Sequence, residues 1–338
     1  MIMKRTALAL TLILSLFPSA VAGTWFANLA SAQSSEIITI KADGSVDPST
    51  TPIQRNGDVY TLAGDINGYL VLARNNTVLD GAGHAVHGIS GPPVTWDISN
   101  GYQVDSTINL TIVNAVTNEG GINIAVLHNS IVANSTLHSG VGINWHGGGN
   151  IISGNNVTNS NLLYGAIAFD GSNNTIIGNR ITGTNGTAIN IGASYNNTIV
   201  GNHIADNKVG ISATNIYSQG GAHDNIIYYN NFTNNTKNVY NEVVMAVPAV
   251  SIWDNGAVGN YWSDYNGTDA NNDGIGDIPY VIDENNQDNH PLMTPVNISN
   301  VIPPSPEAIP EFPTWIILPL CMIITLFSVS IYGKKRKR

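Results

Sequence analysis

The sequence is poor in cysteine, charge and leucine, and each shortage closes off a class of protein. One cysteine in 338 residues, Cys321 inside an apolar run, excludes a disulfide framework and a thiolate metal cluster. Charged residues make up only 11% of the chain, against roughly 25% in an average globular domain. Bases are the scarcest. Of 13 Lys and Arg, Lys4 and Arg5 open the chain and five close it from Lys334 to Arg338, leaving 6 in the middle against 23 Asp and Glu. Such a surface repels phosphate backbones and anionic head groups, so nucleic acid is excluded as a partner. Uncharged polarity fills the gap, with 45 Asn and 34 Gly.

Both ends carry addresses. Residues 1–32 predict a secretion signal: a basic start, the apolar run Ala7–Phe17, then small-residue cleavage patterns at Ala20-Val21-Ala22 and Ala30-Ser31-Ala32. At the other end, Thr314–Tyr332 is an uncharged run long enough to span a bilayer at ~1.5 Å per residue. The basic cluster at 333–338 should stay cytoplasmic, which puts the body of the protein outside the cell. Residues 296–313 form a proline-rich stalk. Pro310-Glu311-Phe312-Pro313, the apolar run and the basic cluster together resemble the PEF-type sorting signals of archaeal surface proteins. That resemblance implies processing by a membrane transpeptidase; the helix alone implies a permanent membrane anchor.

The middle repeats. Ile131-Val132-Ala133-Asn134, Ile152-Ser153-Gly154-Asn155, Ile176-Ile177-Gly178-Asn179, Ile199-Val200-Gly201-Asn202 and Ile227-Tyr228-Tyr229-Asn230 align, with Thr111-Ile112-Val113-Asn114 ahead of them. A second set, from Gly121-Ile122-Asn123-Ile124 through Gly142-Ile143-Asn144-Trp145 to Gly210-Ile211-Ser212, recurs between them. Short β-branched segments alternating with period 2 and broken by Asn/Gly turns predict strands. A period near 22 without a leucine framework excludes leucine-rich repeats and fits an all-β, single-stranded right-handed parallel β-helix. Its coils stack ~4.8 Å apart, with asparagine at the corners because it tolerates left-handed backbone. Residues 36–88 are expected to cap the amino end and supply the first coil, 89–250 to form the repeats, and 251–295 to cap the carboxyl end.

Val78-Leu79-Asp80-Gly81-Ala82-Gly83-His84, the Asn-Thr-Ile-Ile-Gly-Asn coils, and Gly259-Asn260-Tyr261-Trp262-Ser263-Asp264-Tyr265 running to Pro291-Leu292-Met293 resemble the NosD-like family of right-handed parallel β-helix proteins. The resemblance covers roughly residues 75–293. It implies the fold, a kinship with carbohydrate-binding and sugar-hydrolase repeats, and, through the family's namesake, a link to periplasmic copper delivery for nitrous oxide reductase.

β-Helix enzymes that cut polysaccharides set carboxylates, or a carboxylate and a base, on neighbouring coils of one outer face. The outward positions here read Asn123, Asn144, Ala168, Asn190 and Ser212, none of which moves a proton at useful pH. Between residues 108 and 242 the acids are Glu119, Asp170, Asp206, Asp224 and Glu242. His146 and Asp170 each precede their coil's Asn by nine residues and should stack one coil apart, with His223 and Asp224 on the same side. These are the candidate catalytic groups. Histidines stand at 84, 87, 128, 138, 146, 203, 223 and 290 without a Met or Cys set that soft copper(I) wants. A calcium-type loop is clearer: Asp269, Asn271, Asp273 and Asp277 occupy positions 1, 3, 5 and 9 with Gly274 at 6. It departs at position 12, where Tyr280 replaces the bidentate Glu, and Asp264, Asp283 or Asp288 are the substitutes on offer.

Eleven Asn-x-Ser/Thr sequons (Asn75, Asn109, Asn134, Asn156, Asn173, Asn185, Asn196, Asn231, Asn234, Asn266 and Asn297) make a glycoprotein an expectation. The first expectation for function is a membrane-anchored extracellular β-helix that binds glycan or another cell-surface component without catalysis, through Asn123, Asn144, Asn190 and Ser212. The alternatives are a polysaccharide lyase, hydrolase or epimerase built on Asp170, His146 and Asp224, and a copper-handling protein.

Overall fold

The computed structural model describes residues 36–298 except 93–95, 98–100, 103–106, 125, 144–146, 159–164, 193, 216–221 and 244–247. The chain divides into two units, Met1–Val301 and Ile302–Arg338. The signal segment, the membrane run and nearly all of the stalk lie outside the described residues, and no helix among those described is long and apolar enough to cross a membrane.

The first unit is a parallel solenoid with three strands per coil. One face is a sheet built from Thr77–Asp80, Leu110–Val113, Ile131–Ala133, Ile151–Ser153, Thr175–Ile177, Thr198–Val200, His223–Tyr228 and Val250–Ile252. The other two faces share a larger sheet, joined where Val116–Ile124 turns the corner through a break in register between Thr117 and Gly121. The sequence announced the first and third faces. The second, Thr136–Leu137, Asn156–Thr158, Arg180–Thr182, His203–Ala205, Asn231–Thr233 and Tyr261–Trp262, is two or three residues per coil and too short for its period to stand out. The parallel stacking also runs back into the expected amino-terminal cap, because Glu36–Ile40 already pairs in parallel with Gly68–Leu72.

Each face sends one column of side chains inward. The first column runs Leu79, Ile112, Val132, Ile152, Ile176, Ile199, Ile227. The second runs Thr117, Leu137, Val157, Ile181, Ile204, Phe232, Trp262. The third runs Ile122, Val141, Ile167, Ile189, Ile211, Val239. All are buried. Because a coil cannot hide its own apolar side, burial is shared between neighbours, and the stack is the unit that folds.

Two corners are zipped by buried asparagines. Asn150, Asn174, Asn197 and Asn225 form one ladder; Asn155, Asn179, Asn202, Asn230 and Asn260 form the other. In the second, the backbone N–H and side-chain amide of Asn179 both donate to Asn202 Oδ1, at 2.9 and 3.0 Å, while its amide also reaches back to the Ile152 carbonyl. Each rung therefore ties three coils and satisfies backbone groups that the turn leaves unpaired. The register corrects the sequence alignment by one residue: Ile131 pairs with Ile151, so Asn134 faces Gly154 and Ser135 is the rung below Asn155. Asn114 and Asn134 instead hold exposed corners at φ 52°, the conformation taken by Gly154, Gly178 and Gly201 in later coils.

The carboxyl end is closed by aromatic rings. Phe232, Trp262 and Tyr280 stack at centroid separations of 4.3 and 4.2 Å, with Trp253 tilted against Trp262. The ladder of Asn260 ends on a carboxylate: Asp288 Oδ2 accepts the Asn260 N–H at 2.7 Å and the Trp262 indole N–H at 2.9 Å, and its other oxygen accepts from His290 N. A ladder that donates in one direction needs a terminus that only accepts, and a carboxylate fits.

Candidate binding surface

The expected row of outward residues on the third face is changed by the register. Asn123 pairs with Gly142, which pairs with Ala168, then Asn190, then Ser212. Asn144 therefore falls two positions beyond the row and lies outside the described residues. Asn123 and Asn190 are half-buried and Ser212 is buried; Asn190 Oδ1 is shielded from solvent with no partner among the described residues. This row is a partly covered strip, not an open platform.

Within the candidate catalytic set, Asp170 and Asp224 stand in different columns. Asp170 is half-buried, engaged in an interaction of its own, and set beside Gly192 of the next coil. Asp224 immediately precedes the rung Asn225, as Asn196 precedes Asn197 and Asn173 precedes Asn174, and shares their left-handed conformation at φ 55–60°. It therefore belongs to the column of Asn173, three residues past Asp170. Against the following strand the register shifts at the same place, between His223 and Asn225. His146 lies outside the described residues.

The corner that carries Asp224 holds the most developed surface feature. A column of His128, Gly148, Ser172, Tyr195 and His223 runs along the solenoid axis, one residue per coil. The rings of Tyr195 and His223 stack at 5.3 Å and 6°. The Asp224 carboxylate accepts from His223 Nδ1 at 2.8 Å, which fixes that ring and leaves Nε2 facing outward as an acceptor. Below Tyr195 the column shrinks to Ser172 and Gly148, and a groove of about 510 Å³ opens between Tyr195 and His128, floored by Gly148, Gly149 and Gly171 and flanked by Asn129 and Asn173. Exposed amides continue beside it, with Asn196 donating to Asn173 Oδ1 at 2.6 Å and, further down the same corner, Asn109 donating to Asn76.

Metal binding was tested against the donor geometry. Among the described residues no three His, Cys, Asp or Glu side chains converge. His128 accepts the Gly148 N–H on Nδ1, so its Nε2 carries the proton and offers no lone pair. His203 pairs across from Arg180, whose charge repels a cation; burial first, and then Arg180, push its pKa down. His84 faces Asp65, His87 faces Glu119, and His290 lies 3.2 Å from Asp254 off the hydrogen-bond direction. The described histidines are thus dispersed, each beside a different partner or alone. In the calcium-type loop, Asp269 accepts the Asp273 and Gly274 N–H groups, Asp273 that of Ile275, and Asp277 that of Ala270. Of the substitutes for position 12, Asp264 holds the Tyr280 hydroxyl, Asp283 holds Asn241 and Asn286, and Asp288 ends the ladder. Tyr280 itself is a plate of the aromatic stack, and burial pushes its pKa up to about 12.

A parallel solenoid with asparagine-zipped corners and an aromatic end plate defines the class of parallel β-helix proteins. The family whose members are described as periplasmic copper-binding protein (NosD) matches residues 63–267, and the chain belongs to that NosD family. It is 39% identical over 105 residues to a probable ABC transporter binding protein NosD of Stutzerimonas stutzeri, and 37% identical over 105 residues to its namesake in Pseudomonas aeruginosa. In each case the match covers 31% of this chain and 22% of the relative's length.

Proposed function

We propose that this chain is an exported, surface-held member of the NosD family that binds a neutral glycan along its corners without turning it over. The observation that carries the reading is the spacing of the corner amides. Uncharged donors and acceptors pair from coil to coil, Asn173 with Asn196 and Asn76 with Asn109, on a corner that carries amides between its few titratable side chains, His128, Tyr195, His223 and Asp224. An uncharged polymer whose own repeat is of the order of one coil spacing, ~4.8 Å, presents matching hydroxyls. Export and anchoring follow from the end segments, and calcium in the Asp269–Asp277 loop belongs to the same reading as a ligand of the cap. The test is calorimetric titration with linear neutral oligosaccharides, run beside a product assay on the parent polysaccharides with Asp170→Ala as control. Saturable binding without product supports the proposal. Turnover abolished by Asp170→Ala overturns it in favour of an enzyme.

A second reading, copper handling, draws on the family description and on the Asp224-held His223, whose Nε2 is presented as a metal-bound histidine's would be. Copper(II) titration of the wild type and His223→Ala separates the two: stoichiometric binding lost in the variant favours copper, and equal weak binding by both removes it.

A further inference from the structure

Resting on the glycan reading, we infer that one sugar ring is held in the corner groove at Gly148-Gly149, lying flat against the free face of Tyr195. The wall is specific. Tyr195 is 51% exposed, yet its ring is backed on the far side by His223, and His223 is held in turn by Asp224. An exposed ring with both neighbours fixed loses little freedom when a ligand packs on it. The column order leaves the other face of Tyr195 looking over Ser172 and Gly148 towards His128. The apolar faces of a pyranose ring suit an aromatic wall, and its rim of hydroxyls suits amides.

The wall of the groove closes in tightly at two adjacent glycines: a Cβ on Gly148 would lie 2.6 Å from the Ser172 carbonyl oxygen, and one on Gly149 closer still to Asn129 Oδ1. Along the corner, Asn109, Asn129, Asn173 and Asn196 all sit at φ 48–60°, and Gly149 interrupts them at φ 73°. Asparagine is therefore the residue this position takes in the coils on either side, and glycine here makes room for Asn129 Oδ1, which a side chain at 149 would push into the groove. On either side of the groove, the Asn129 amide forms no hydrogen bond among the described residues, and Asn173 accepts from Asn196 and donates its backbone N–H to the Tyr195 carbonyl while its side-chain N–H groups make no bond among the described residues. An acceptor, Asn129 Oδ1, thus faces Gly149, with the amide N–H groups of Asn129 and Asn173 on either side of the groove. The groove is lined by no Lys, Arg, Asp or Glu, which favours a neutral ring over an anionic one.

The experiment replaces Gly149 by Asn in the full chain, restoring the corner residue of the adjoining coils and crowding Asn129 into the groove, and separately makes Tyr195→Ala. Linear neutral oligosaccharides (gluco-, manno- and chito-) are titrated by calorimetry, with melting temperature as the check on folding. For an oligosaccharide that the wild type binds, both variants should lose at least tenfold in affinity, and Asn129→Ala and Asn173→Ala several-fold, while His138→Ala on another part of the surface loses none. If Gly149→Asn lowers the melting temperature, the exposed Tyr195→Ala decides alone. Wild-type affinity in Tyr195→Ala, and in a folded Gly149→Asn, overturns the groove and leaves the glycan reading standing. No oligosaccharide bound by the wild type overturns both.

Discussion

At the scale of single residues, the interior tolerates polarity only where partners are built in. Asn202 is buried, yet its amide donates to the Ile176 and Val200 carbonyls and to Asn230 Oδ1, and its oxygen accepts twice from Asn179. Asn202→Asp keeps the shape and the accepting oxygen but turns a donor into an acceptor facing three other acceptors. Leaving such buried groups unsatisfied costs about 1–3 kcal/mol each. The variant should unfold at lower denaturant, and the deficit should shrink as pH falls, because the protonated acid regains a donor. A deficit independent of pH would show that donation across the rung is not what matters. Thr117 is the converse case: fully buried in the second inward column, between Val86 and Leu137, with no partner for its hydroxyl among the described residues. Thr117→Val should therefore stabilise, by ~1–2 kcal/mol from the desolvation of an unpaired hydroxyl, read as a raised denaturation midpoint.

At the scale of elements, the segment after the last coil stacks its rings on Phe232 and turns its acids onto N–H and hydroxyl donors. From the sequence, Trp253, Tyr261, Trp262 and Tyr265 are the rings expected to cover the last coil; Trp253 and Trp262 are buried, Tyr261 and Tyr265 half-buried. Tyr280 is not among them, since counting it as position 12 of a calcium loop hides its place in the stack. The acids are anchors: burial alone would raise the Asp283 carboxyl, but N–H donors from Asn286, Asn285 and Asn241 outweigh this and hold it below the usual carboxylate range. A depressed folded-state pKa contributes stability that is full above the unfolded value near 3.9 and fades as pH falls through the folded one. Wild type should therefore exceed Asp283→Asn in melting temperature at neutral pH, and the gap should close below about pH 4. A gap that widens with acid would mean that the carboxylate is not the stabilising form. Burial pushes Asp288 the other way, upward, against the pull of its N–H donors, so its linkage opposes that of Asp283 and the paired comparison isolates the latter.

At the scale of the whole molecule, the fold was legible because its determinants repeat, and the site was not because it depends on where the repeat fails. Six coils of β-branched residues and asparagine announce a parallel stack even with a one-residue error in alignment. The groove lies where Gly148 and Gly149 break a column of larger residues and where Tyr195 is stacked on His223, and neither feature repeats from coil to coil. Repetition also makes the solenoid divisible. Asn156 pairs with Arg180 and Asn155 donates to Asn179, 24 residues on, so the backbone leaves and re-enters the same corner after one coil. Excising residues 156–179 joins Asn155 to Arg180, sets Asn155 beneath Asn202, and lays Val141–Ile143 against Thr187–Ile191, so that every ladder and inward column remains continuous. With energies shared between neighbouring coils, the loss should be that of one repeat and its interface, not of the fold. The shortened chain should keep a strand-dominated circular dichroism spectrum and a cooperative melt at a lower temperature, without the groove that Ser172 and Asn173 complete. Removing half that length instead puts rungs opposite strands and apolar positions outward, and should give an aggregated or unfolded product. If both deletions melt alike, the register of the asparagine ladders is not what organises the molecule.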